Sequence, residues 1–128
     1  MGYRSDIGLL LSKHGVSVLQ ARLSDKSLPE QTRQDVLEFM DRAETHYKHQ
    51  TTGAEVWLWQ WVKWYDTDPY AFPDIKFIAE TIRDLPDEDY RFIRIGEDYE
   101  DTEVEGSFFD HPFDFDVVRS IKVTPSLE

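Results

Sequence analysis

The sequence predicts an α+β fold, a two-layer sandwich in which a mixed sheet of about five strands carries two main helices on one face. Three observations lead there. Two segments place apolar residues at helical spacing, around residues 27–49 and 72–85. Several shorter runs are continuously apolar or alternate with period two. Clusters such as QTTG, LPDED and EDYED separate them with turn-forming residues. At 128 residues the chain fits one domain, assigned to residues 1–126. Leu127 and Glu128 read as an expression-tag remnant.

Taken in order, IGLLL predicts a strand from near Tyr3, with Ile7, Leu9 and Leu11 on one face. HGVSVLQARL predicts a short helix through Val16, Leu19 and Leu23. The run SLPEQTRQDVLEFMDRAETHYKH predicts a long helix. Ser27 and Glu30 have the spacing of a capping box, and Pro29 suits a first turn. Val36, Leu37, Met40, Ala43 and Tyr47 form its apolar stripe. His46, Lys48 and His49 fall at its C-terminal end, where positive charge is favoured.

The segment EVWLWQWVKWY holds all four tryptophans. Its aromatic content and its length between TTG and DTDP predict a strand. Strict alternation puts Val56, Leu58, Val62 and Trp64 on one face and Trp57, Trp59, Trp61 and Tyr65 on the other. One set belongs to the core. The other, taken as the aromatic face Trp57, Trp59, Trp61 and Tyr65, is a dimer face, a binding face, a face covered by the C-terminal strands, or a buried surface. Monomers rarely expose so large an apolar patch.

Residues 72–85 predict a second clear helix, with Pro73 at its start and Ile75, Ile78, Ala79, Ile82 and Leu85 along one side. YRFIRIG and TEVEGSFF predict a hairpin about EDYED. HPFD predicts a turn, and FDFDVVRSIKV a last strand.

The net charge of −12 is unevenly placed. Residues 84–116 hold thirteen acids against Arg91 and Arg94, a net −11, while the first 83 residues are near neutral. Such a field repels nucleic acid and anionic membrane and favours a basic protein partner. The face expected to carry this is Glu97, Asp98, Glu100, Asp101, Glu103 and Glu105. The plainer reading of those acids is a solvated, solubilising hairpin. Absence of cysteine removes disulfides, thiolate metal sites and cysteine nucleophiles, and suits a cytoplasmic setting. No run approaches the length of a membrane helix, and the N-terminus lacks a signal-peptide layout.

Catalytic signatures are wanting. A calcium-loop register from Asp98 fails at Thr102, Glu103 and Phe109. His46 and His49 alone make a weak metal pair. DIK at 74–76 opens a helix rather than ending a strand. No nucleophile elbow, dinucleotide fingerprint or phosphate loop is present. No catalytic residue, metal or cofactor is assigned.

GYRSDI at 2–7, WVKWY at 61–65 and YRFIRIGEDYED at 90–101 together resemble an uncharacterised family of small phage and prophage proteins. The chain departs from that pattern in QARLSDKSLPEQTRQD and in EDTE. The resemblance implies a strand at the tryptophans, a helix at FPDIKFIAETI, residence in the bacterial cytoplasm and an accessory or anti-defence role. The first expectation is therefore a non-enzymatic protein that binds a basic protein through its acidic face. The others are an aromatic-lined small-ligand or metal site, and a homodimer that buries the tryptophan strand.

Overall fold

The computed structural model describes residues 2–67 and 71–118. It is an α+β fold with β1 (Ser5–Leu11), α1 (Lys13–Leu23), α2 (Glu30–Asp41), β2 (Thr45–Lys48), β3 (Glu55–Val62), α3 (Pro73–Arg83), β4 (Tyr90–Gly96) and β5 (Thr102–Glu105). The five strands form one sheet in the order β2-β3-β1-β4-β5. All its pairings are antiparallel rather than mixed, because hairpins or helical returns join successive strands.

β1 is the central strand and buries both faces. Ile7, Leu9 and Leu11 point to the helices, alongside Trp57 and Trp59 from β3 and Tyr90 and Phe92 from β4. The helices answer with Leu19 of α1, Val36 and Phe39 of α2, and the predicted stripe Ile75, Ile78, Ala79 and Ile82 of α3. Pro73 opens α3 as expected. Trp59 stacks on Phe39 with ring centroids 4.7 Å apart. Its Nε1–H donates to the Phe39 carbonyl at 2.8 Å, near the end of α2, where that oxygen also accepts the Arg42 N–H at 3.2 Å.

The tryptophan segment is a strand, but its two predicted faces are not preserved. Asp6 of β1 stands opposite two residues of β3, because Ser5 pairs with Val62 and Ile7 with Trp59. The extra residue is a bulge at Gln60–Trp61, and a one-residue slip exchanges the faces of everything beyond it. Trp57 and Trp59 face the helices before the bulge. Val62 and Trp64 face them after it, and Trp64 packs against Phe92 and Phe39. Val56 and Leu58 turn to the opposite side. Trp61 lies at φ 59°, a conformation costly for a bulky side chain, and is 60% exposed. The Asp6 carboxylate accepts its N–H at 2.9 Å, and Arg4 Nη1 donates to its carbonyl at 3.3 Å.

α2 starts and stops differently from the prediction. Its N-terminal boundary is Pro29, with no side-chain cap. Ser27 belongs instead to a preceding turn, where its N–H and hydroxyl both donate to Asp25 at 2.8 Å. Glu30 pairs with Arg33. The helix ends at Asp41, and THYK forms the edge strand β2. Leu37 and Tyr47 of the expected stripe are exposed. His46 is no helix end: its ring stacks on Trp57 at 4.8 Å and lies 2.8 Å from the Glu55 carboxylate. A strand there extends the sheet and lets His46 shield an indole, which outweighs local helical spacing.

The short helix α1 is also present, so three helices cover one face. Ser12 caps it, accepting from Gly15 N–H at 3.0 Å and donating to Asp89 at 2.7 Å. Arg33 reaches back to the carbonyls of Leu23 and Asp25, binding α2 to the end of α1. The predicted last strand is not formed over 113–118; the rest of it, 119–123, lies outside the described residues. Residues 107–118 instead cross the helix-free face, with the Phe115 ring directly over Gly8.

Trp59→Phe should lower stability by about 2–3 kcal/mol, from the lost indole hydrogen bond and a partial cavity. Trp61→Gly should change it by less than about 1 kcal/mol, since relief of the left-handed conformation offsets glycine's backbone entropy. Urea unfolding of both variants measures this, and the reverse ranking would contradict the bulge.

Candidate functional site

Two regions carry the unusual chemistry: the β4–β5 edge with its acids, and the helix-free face of the sheet. At the edge, the six predicted acids divide. Asp101, Glu103 and Glu105 turn toward two arginines. Arg94, on the helix side of β4, donates to Asp101 at 2.7 and 3.1 Å, to Glu103 at 2.9 Å and to Ser5 at 3.2 Å. Arg83, at the end of α3, pairs with Asp66 at 2.8 Å and approaches Glu105 at 3.4 Å. Tyr3 donates its hydroxyl to Asp101 at 2.5 Å and accepts the Asp98 N–H at 3.0 Å. These contacts pin the N-terminus to the hairpin.

The other three acids, Glu97, Asp98 and Glu100, stand exposed at the hairpin tip. Glu97 accepts the Arg4 backbone N–H at 3.0 Å. The predicted acidic face is thus partly an internal ion-pair network and partly an outward surface. Hydrogen bonds to Asp101, then to Glu103, raise the Arg94 pKa despite burial. Burial alone would lower that of Arg83, but Glu105 and Asp66 raise it. The Tyr3 hydroxyl is raised mainly by its bond to Asp101. Glu103 is raised above the ordinary 4.5, first by burial and also by neighbouring Glu105, with Arg94 opposing.

The helix-free face holds a cavity of about 330 Å³. Its floor is Gly8 of β1, Val56 and Leu58 of β3, and Ile93 and Ile95 of β4. Tyr47 bounds it from β2, and Phe113 and Phe115 from the C-terminal crossing. Asp6, Asp114 and Asp116 stand around it, and among the described residues no lysine or arginine lines it. The crossing keeps alternating inward and outward residues, His111, Phe113, Phe115 and Val117 being the more buried set. Gly8 is required beneath it: a Cβ there would meet the Phe115 ring at 2.9 Å.

Of the predicted aromatic face, Trp57 and Trp59 are buried in the helix-side core and cannot form an exposed patch. Trp61 alone is strongly exposed, and half-buried Tyr65 stacks on Phe72 at 5.4 Å. The bulge separates these residues, so none of the four lines a common pocket wall. Trp57 reaches the rim of the helix-free cavity only as one lining residue among many. Among the described residues, no group of three or more His, Asp or Glu is placed to hold a metal ion, and no helix is long and apolar enough to cross a membrane. His49 bonds Thr52 at 3.0 Å, apart from the His46–Glu55 pair. The sequence reading missed the cavity. Its signal is the alternation FDFD, which has the period of a sheet strand and belongs instead to a segment lying across the sheet.

No protein-family model, curated protein or solved structure matches this chain.

A raised Glu103 pKa means that just above pH 4.5 the folded chain keeps a proton the unfolded chain has released. Stability from this group therefore falls as pH rises through that window. Glu103→Gln should remove the fall. Thermal midpoints at several pH values should show the parent's advantage over the variant shrinking from acid toward neutral pH. A constant difference would contradict the assignment.

Proposed function

We propose that the protein is a non-enzymatic accessory protein, of phage or prophage type, that binds a basic protein through its acidic end. One observation carries the reading: two arginines at that end are bound by neighbouring acids, while further acids are exposed to solvent. Arg94 and Arg83 are held by Asp101, Glu103, Glu105 and Asp66. Register pairs Asp6 with Ile95, so the hairpin tip and the acidic border of the cavity share one end of the sheet. Glu97, Asp98, Glu100, Asp114 and Asp116 are exposed there. Exposed carboxylates in such number steer a positively charged partner and make its association fast and salt-sensitive. The ion-paired acids position the hairpin rather than contact the partner.

The test is capture from bacterial lysate with the parent chain and with Glu97→Gln/Asp98→Asn/Glu100→Gln, at about 0.05 and 0.5 M salt. A basic protein held by the parent at low salt, released at high salt and not retained by the triple variant is the expected result. Asp101, Glu103 and Glu105 are left intact so that loss of binding does not report loss of the hairpin. Equal capture by parent and variant would overturn the reading.

A further inference from the structure

The cavity on the helix-free face has a chemical character separate from the acidic tip. It combines a preformed apolar floor, aromatic walls and acidic residues, with no lysine or arginine in its lining among the described residues. We propose that it binds a small organic cation: an ammonium group joined to an apolar body of roughly one aromatic ring and a short alkyl chain.

Size sets the first limit. About 330 Å³ lies at the small end of ligand pockets, enough for such a molecule and too little for a folded segment. Surface chemistry sets the second. Val56, Leu58 and Ile93 of the floor offer nothing to a polar group, so the ligand's body is apolar. Tyr47, Phe113 and Phe115 bring three ring faces or edges to the walls, the surroundings in which an alkylammonium gains cation–π attraction. Charge sets the sign. Asp6 uses one oxygen for the Trp61 N–H and Asp116 one for the Val117 N–H. Among the described residues no lysine or arginine pairs with Asp6, Asp114 or Asp116. An anion there would lie among three acidic residues, with no lysine or arginine of the described residues in the lining to offset them. A neutral molecule would leave the attraction unused.

The cavity also has a built wall. Phe115 can reach the sheet only because residue 8 is glycine, so the crossing is fitted to the floor. His111 lies within 6.5 Å of both Phe113 and Phe115, centroid to centroid, and His49 meets Phe113 edge-on at 6.3 Å. This aromatic group holds the wall without filling the space.

Three probes of matched size decide the matter: 4-phenylbutylamine, 4-phenylbutanol and 4-phenylbutyrate, each titrated into the isotope-labelled full chain and followed by amide shifts. The amine should perturb Gly8, Leu58 and Ile93 and bind about tenfold more tightly than the alcohol, with the carboxylate weakest. In Asp114→Asn/Asp116→Asn the preference for the amine over the alcohol should shrink several-fold while the alcohol's binding persists. Phe115→Ala should weaken all three probes, and the amide spectrum of each variant checks that it is folded. Equal binding of the three probes would overturn the proposal, as would amine shifts confined to the hairpin tip. So would a self-associated chain that protects Gly8 and Ile93. Binding of the amine only after Arg119→Ser/Lys122→Ser would give the space to the chain's own terminus, and the proposal would fall. The acidic-tip variant Glu97→Gln/Asp98→Asn/Glu100→Gln should leave amine binding unchanged, so the outcome is independent of protein capture.

Discussion

The bulge opposite Asp6 is the constraint on which the rest of the architecture turns. Without it, alternation would carry Trp57, Trp59 and Trp61 down one side of β3 and leave Trp64 on the other. With it, Trp57, Trp59 and Trp64 all reach the helix-side core, and one indole is set outside. Phe39 then touches two of the three, stacking on Trp59 and lying 6.0 Å from Trp64. The Asp6 carboxylate that receives the Trp61 N–H also borders the cavity. A single displaced residue therefore couples the core on one face to the ligand chemistry on the other.

The two faces of the sheet are finished by different means. On the helix side, regular elements bury large side chains; Trp59 Nε1 is paired there, while Trp64 Nε1 is buried without a partner among the described residues. On the other side the apolar strand residues Val56, Leu10 and Ile93 are buried, yet an irregular crossing replaces a helical layer. An irregular segment packs less completely than a helix, and its backbone needs solvent or local partners. Space is left where a regular layer would have closed it.

Much of this architecture was legible in the residues. α3 announced itself through five apolar positions at helical spacing behind a proline, and the central strands through runs too apolar to be solvated. What failed were places where a long-range partner decides. THYK continues a helical pattern locally, but β3 needs an edge neighbour and Trp57 needs the His46 ring, so tertiary contact overrides local preference. The expected Ser27 cap yielded to a turn held by Asp25. The acids of the hairpin lie close together in the sequence. Their division into Arg-bound and outward sets depends on α3 bringing Arg83 alongside β5, which no local pattern reveals. The cavity was invisible for a related reason: FDFD carries the right period, but period alone does not distinguish a strand beside the sheet from one lying across it.

β2 and β5, at the two margins of the sheet, are four residues each. Their shortness has a consequence for a chain so rich in strand-forming aromatics. A long bare margin would offer backbone donors and acceptors to another copy and seed edge-to-edge growth. Here the margins offer little length, Lys48 adds charge to one, and the Glu103 and Glu105 side chains add it to the other. The aromatic strand itself is locked inside, one strand from the nearest border. A sequence that would be a strong fibre-former as an isolated peptide is thereby kept from templating its neighbours.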